Sequence, residues 1–289
     1  MMSPVHDDGQ LNYAATAALV HHLLAGRVDA ILIAGTTGEF PCLSDITWAT
    51  LVEAALGEIN GAVPAIVNVS HCSVRLAIER AREAARSGAT YVTSTPPFYV
   101  PLGHDDLVTY YHRLADASGV RLFLYNIPQF TQSDVTADLQ RLAEHPNIVG
   151  IKESSGLYEG LASIPRRVNR PFIRLAGTDV LLPAAIAQGL DGVVPGLANV
   201  VPGLFHLWWN ALRNGDAAAA QQHEEAIRRF TDLYATIPGT APYMQVFRLG
   251  LRLLGIDPGN PSGIDITLAD SVHREIQEAL AHASRLVTQ

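Results

Sequence analysis

Seven short runs of aliphatic and β-branched residues, each followed by a helix-like stretch, constrain this chain more than any other feature. They are AILIAG (30–35), AIVNV (65–69), YVTST (91–95), RLFLYN (121–126), IVGIKE (148–153), IRLAG (173–177) and GVVPG (192–196). Nearly every position in them is apolar, where a sheet with one wet face would alternate, and this marks parallel strands covered on both faces. Amphipathic or Ala-rich segments such as SVRLAIERAREAARSGA (73–89) and DDLVTYYHRLADASG (105–119) separate them. Steady strand–helix alternation without long linkers predicts an α/β fold, a TIM (β/α)8 barrel in preference to a doubly wound sheet.

A closed barrel needs eight strands. The segment LNYAATAALVHHLLAG (11–26) is a helix, so the missing strand belongs before residue 4, where little chain is left to form it. The first strand is therefore expected to be truncated or degenerate. After residue 199 the pattern turns purely helical, which predicts a barrel domain over 1–212 and a C-terminal helical extension over 213–289.

A single barrel accommodates 289 residues, and 48% hydrophobic with 17% charged residues suffices for a sizeable core. The net charge of -8 argues against nucleic acid or an anionic membrane surface as partner. Cys42 and Cys72 form no metal-type spacing, and a reduced cytoplasmic setting fits them. The N-terminus carries no secretory pattern, and no apolar run approaches the roughly 20 residues that span a bilayer. No metal and no cofactor are expected.

In a parallel barrel the C-terminal strand ends share one mouth, where barrel active sites lie. Lys152 stands at such an end. Its amine, desolvated in an apolar pocket, could attack a ketone to form a Schiff base. It could equally snorkel outward and pair with Glu153. Tyr125, in YNIP (125–128), is either a proton relay or a buried tyrosine with a satisfied hydroxyl. GTTGEFPCLSD (35–45) is a strand–turn–helix junction with Ser44 as N-cap, and its turn amides could hold a small carboxylate. His71 is more often a capping residue than a base, Cys72 an inert thiol, and FHLWW (205–209) packing or an oligomer contact.

Together GTTGE, PPFYVP, YNIP, GIKESSG and GTDVLLPAAIAQGLDGVVPGLANVVP resemble, in order and spacing, the dihydrodipicolinate synthase / N-acetylneuraminate lyase family of Schiff-base pyruvate aldolases. The resemblance runs from SPVHDDGQLN at the start to the C-terminal helices. It implies Lys152 as the Schiff-base lysine and Tyr125 as general acid/base. Thr37 would link Tyr125 to Tyr99, which in the synthase branch reaches in from a neighbouring subunit of a dimer or tetramer. Thr36 and Thr37 would hold the pyruvate carboxylate, with the Val194 carbonyl lining the same pocket.

Two departures bear on the second substrate. Where the synthase branch has an arginine that grips the aldehyde's carboxylate, Phe130 stands, and phenylalanine cannot make that bidentate contact. TQ follows it in place of a common TG. Asp179, in GTD (177–179), could bind a polyol tail or cap the next helix. The expectation is a lyase acting on pyruvate and an aldehyde, most simply on a 2-keto-3-deoxy sugar acid. The alternatives are a dehydratase or hydratase-aldolase using the same imine, and a non-catalytic keto-acid binder.

Overall fold

The computed structural model describes residues 1–159, 161, 170–239, 241–264 and 266–288. Seven strands are found among them: β1 (Ile31–Ile33), β2 (Ala65–Asn68), β3 (Tyr91–Ser94), β4 (Arg121–Asn126), β5 (Ile148–Glu153), β6 (Ile173–Ala176) and β7 (Gly192–Val193). Each lies inside a run expected from the sequence. The architecture is α/β, with the strand–helix alternation of a (β/α)8 barrel and a helical C-terminal part. The chain divides into two compact units, Pro64–Val194 on the one hand and Met1–Val63 with Pro195–Gln289 on the other.

In the unit Pro64–Val194, β2 to β7 lie side by side in sequence order and all parallel. Every residue of β2 is buried, as are five of the six in β4, which is why these runs carry no polar alternation. The helix Val74–Arg86 shows how the covering layer is built. It buries only Ala77, Ala81 and Ala84, a narrow stripe of small residues that lets the helix sit close on β3, and exposes Arg75, Glu79, Arg82, Glu83 and Arg86.

In the other unit the helix Asp45–Ile59 starts at Ser44, whose hydroxyl accepts from the Thr47 amide at 3.0 Å, as expected. The helices Pro202–Asn214, Ala217–Thr231, Pro242–Leu253 and Asp270–Val287 make up the helical C-terminal part. Trp208 is fully buried beside Phe205, so one tryptophan of FHLWW is core packing. Trp209 is half-buried with Arg213 over its ring. Domains of 1–212 and 213–289 remain a proposal.

The missing first strand has a physical counterpart. Residues 1–5 are all buried beside β1: the Met1 amino group donates to the Leu32 carbonyl, the Met2 amide to Asn199 Oδ1 at 2.8 Å, and the Ser3 hydroxyl to the Gly38 carbonyl at 2.7 Å. Side chains thus satisfy backbone groups that a regular ladder would otherwise pair. Val5 bridges Leu11 in antiparallel fashion, and no strand is formed before β1 among the described residues. No described helix is long and apolar enough to cross a membrane.

Candidate active site

The C-terminal ends of β4 and β5 carry two of the expected residues, and their register brings the two together. Tyr125 pairs with Lys152, so both side chains leave the same face at the same level. Lys152 Nζ donates to the Tyr125 hydroxyl at 3.0 Å and lies 4.2 Å from the centre of its ring. Lys152 is 8% exposed and Tyr125 2%. An ammonium taken out of water costs several kcal/mol unless paired, yet no carboxylate pairs with Lys152 among the described residues. The outward lysine paired with Glu153 is therefore not what the chain builds.

The register itself depends on a bulge. Leu122 pairs with Ile148, but Phe123 pairs with Gly150, so β5 carries Val149 as one extra residue. Without the bulge, with Val149 paired to Phe123, Tyr125 would face Ile151 and Lys152 would stand opposite Asn126. Gly150 is required where the ladder resumes, because a Cβ there would run into the Phe123 ring and lie 2.5 Å from the Ile173 carbonyl.

On the opposite face of the same two strands stands a second polar pair, which the sequence did not announce. Asn126 pairs with Glu153 in register, and its carboxamide donates to Glu153 Oε2 at 2.7 Å and to Asp134 Oδ1 at 3.1 Å. Its own oxygen accepts from the Val135 amide at 2.9 Å. Glu153 Oε1 accepts from the Ser155 amide, and the residue is fully buried. Burial, with the charge of Asp134 beside it, pushes the Glu153 carboxyl up, against the pull of its hydrogen bonds to Ser155 and Asn126. YN-x-P can now be read physically: Tyr on one face, Asn on the other, and Pro128 opening the short helix Pro128–Thr131.

Gly177, just past β6, lets Lys152 lie flat: a Cβ there would stand 3.0 Å from Lys152 Cε and would collide with Ser154 Oγ. That Ser154 hydroxyl is buried with no hydrogen-bond partner among the described residues, and no motif in the sequence assigns it a role. Next in the chain, Thr178 Oγ1 accepts from the Val180 and Leu181 amides at 3.2 and 2.9 Å, a turn just ahead of the helix Leu182–Ala187, whose N-cap is Leu181. Asp179 is half-buried. The Val194 amide extends the ladder by one bond, to the Ala176 carbonyl at 2.7 Å.

Phe130 and Tyr99 are exposed, at 53% and 85%. His71 Nδ1 accepts from the Ser73 amide at 2.9 Å, the local capping bond expected of a lone loop histidine. Cys42 and Cys72 are both free and exposed.

Thr36 and Thr37 belong to the other unit, in the turn after β1. Both are half-buried, and the turn is closed by the Glu39 amide donating to the Thr36 carbonyl at 2.9 Å. Glu39 adopts φ 50°, a left-handed conformation that a glutamate rarely takes. Arg248, 3% exposed, donates to its carboxylate at 2.5 Å. Gly196 is needed close by, since a Cβ there would meet the Phe247 ring at 2.8 Å and Thr37 Oγ1 at 3.2 Å. Nothing local in the sequence links Glu39 to Arg248, 209 positions later.

Known proteins of similar sequence and fold place the chain in a family. A 4-hydroxy-tetrahydrodipicolinate synthase of Gluconobacter oxydans is 32% identical over 259 residues, spanning 87% of this chain and 85% of that protein. The structure of dihydrodipicolinate synthase from Bacteroides thetaiotaomicron superposes with a TM-score of 0.88 at 29% identity, covering 97% of this chain and 96% of that one. A prophage protein of Escherichia coli K12 from the dihydrodipicolinic acid synthase family, solved in complex with pyruvate, superposes with a TM-score of 0.87 at 24% identity over 98% of this chain and 96% of its own. Residues 1–266 match the dihydrodipicolinate synthetase family as a whole. This chain belongs to the dihydrodipicolinate synthetase family.

Proposed function

We propose that the protein is a pyruvate-dependent class I aldolase, a carbon–carbon lyase that works through an imine at Lys152. The observation that carries this is the buried Lys152–Tyr125 pair, with Nζ 3.0 Å from the phenol oxygen and no paired carboxylate among the described residues. The amine adds to the carbonyl carbon of pyruvate. The hemiaminal hydroxyl leaves as water after taking a proton, which the Tyr125 hydroxyl is placed to deliver and later recover. The resulting iminium draws electrons from the adjacent methyl carbon. Loss of a proton there gives an enamine, which attacks an aldehyde carbon; in the reverse direction the same iminium accepts the electrons of the breaking C–C bond. No cofactor is required.

The family likeness assigns the pyruvate carboxylate to Thr36 and Thr37 with the Val194 carbonyl nearby, and a proton relay to Thr37 and Tyr99. The exposure of Tyr99 supports its reaching into a neighbouring subunit of a dimer or tetramer. For the second substrate, Phe130 supplies no charge for an acidic aldehyde, which argues against aspartate semialdehyde. The unpartnered Ser154 hydroxyl next to the lysine stem, with Asp179 farther along, favours a hydroxylated partner, hence a 2-keto-3-deoxy sugar acid. A reducing, cytoplasmic setting suits the two free thiols.

The test is a product assay on a panel of 3-deoxy-2-keto sugar acids. Free pyruvate in equal amount to the aldehyde is the expected result. A dehydrated keto acid without pyruvate would replace the aldolase by a dehydratase, and binding without turnover would leave a keto-acid binder.

A further inference from the structure

The bulge at Val149 leaves β4 and β5 with a choice of register. Backbone hydrogen bonds in a parallel ladder are evenly spaced, so a slip of one residue costs the ladder itself little. It would nevertheless carry Lys152 to the opposite face and set Ile151 against Tyr125. Whatever fixes the register beyond the bulge therefore fixes the nucleophile.

Past the bulge a side-chain bond joins the strands on the face away from the lysine, the 2.7 Å contact from Asn126 to Glu153. Both residues directly follow the reacting pair in the chain. Each is also held by neighbours on its own stretch of chain, Asn126 by Asp134 and the Val135 amide and Glu153 by the Ser155 amide, so both side chains are fixed in place to meet across the strands. The Ser154 amide donates to the Asn126 carbonyl at 2.9 Å, and Gln129 Nε2 to the Ser154 carbonyl at 3.0 Å, so the segments after both strands are tied at the same place. Stability alone does not call for such a pair. A buried carboxylate and carboxamide are commonly matched or bettered by apolar residues of equal volume, and buried polar contacts are best attested as devices that specify register.

We propose that Asn126 and Glu153 are positioning residues that lock β4 against β5 beyond the bulge and thereby hold Lys152 Nζ within reach of Tyr125. This rests on the imine chemistry proposed above and names a duty for the face of the strands that chemistry does not use. The two polar groups act through register and never touch the substrate.

The experiment measures the borohydride trapping rate of pyruvate across pyruvate concentrations, alongside thermal melting, for the full-length protein and two variants. Glu153→Gln keeps the volume but presents an amide N–H to one of the two donors that Glu153 accepts. The triple variant Asn126→Asp, Asp134→Asn, Glu153→Gln restores the bond with its sense reversed. The carboxamide introduced at position 153 then donates to the carboxylate introduced at position 126, and no two carboxylates face each other. Misplacing a nucleophile by about 1 Å costs up to roughly 100-fold in rate. Glu153→Gln is expected to lower the saturating trapping rate about tenfold or more, with the half-saturating pyruvate concentration little changed, and the triple variant to recover most of the loss. A Glu153→Gln protein that melts lower but traps at the wild-type rate would overturn the proposal, as would a triple variant that regains melting temperature without regaining rate. Absence of trapping in the wild type would instead remove the imine itself, and this inference with it.

Discussion

Two of the buried basic side chains, Arg248 and Lys152, are treated in opposite ways. Arg248 is matched by a carboxylate: its guanidinium meets Glu39 at 2.5 Å and holds that residue in a left-handed turn. Lys152 is given a phenol, while the carboxylate next to it in the chain is turned to the other face and held by an amide and a carboxamide. A compensated ion pair is chemically inert and stabilises only if both partners remain. An amine facing a neutral proton donor is poorly compensated as a cation and well placed as a nucleophile. Where a buried charge lacks its obvious partner, chemistry is the better explanation than stability.

The first way to break this contrast is to remove the phenol alone. Tyr125→Phe keeps the ring and loses the proton, so deuterium exchange at the pyruvate methyl group, followed by NMR, should slow by about 10²- to 10⁴-fold. Stability should change by only about 1 kcal/mol, the worth of one hydrogen bond. Exchange at the wild-type rate would mean that Tyr125 moves no proton. Arg248→Met should behave in reverse, with a loss of about 3–5 kcal/mol in urea unfolding from the stranded Glu39 carboxylate. Adding Glu39→Leu should recover most of that loss, and an Arg248→Met cost below about 1 kcal/mol would deny the pair its structural part.

Smaller effects sharpen the same comparison. Because burial raises the Glu153 carboxyl, the folded state favours its protonated form. The stability this contributes is full below the ordinary glutamate range, about pH 4.3, and is lost as pH rises through the folded value. Glu153→Gln lacks that titration, so the stability of wild type relative to the variant should decline as pH rises above about 4.3. A widening advantage for wild type would show that Glu153 prefers to be charged. Phe130→Arg, at an exposed position, should leave stability within about 0.5 kcal/mol. Aspartate semialdehyde should be condensed at synthase-like rates by neither wild type nor, through this one change, the variant; rapid condensation by wild type would refute the specificity read from Phe130.

Much of this was legible in the sequence because it is local. All seven strands appear as apolar runs, Lys152 and Tyr125 close two of them, and Ser44 and His71 declare their capping roles within three residues of their partners. What was hidden depends on pairing across the fold. The bulge at Val149 shows only when β5 is laid against β4, and Asn126 and Glu153 looked like ordinary strand ends until their register was known. The tie between Glu39 and Arg248 spans most of the chain, and the Met2 amide of the N-terminal segment is satisfied by the side chain of Asn199. Ser154 could be recognised only by the partner its hydroxyl lacks.

The central claim is that Lys152 is a nucleophile toward pyruvate, and intact mass spectrometry after borohydride reduction tests it most directly. Wild type incubated with pyruvate should gain the mass of one reductively trapped molecule per chain, located at Lys152 by peptide mapping, and Lys152→Ala should gain none. No adduct on the wild type, or an adduct that survives Lys152→Ala, would contradict the account.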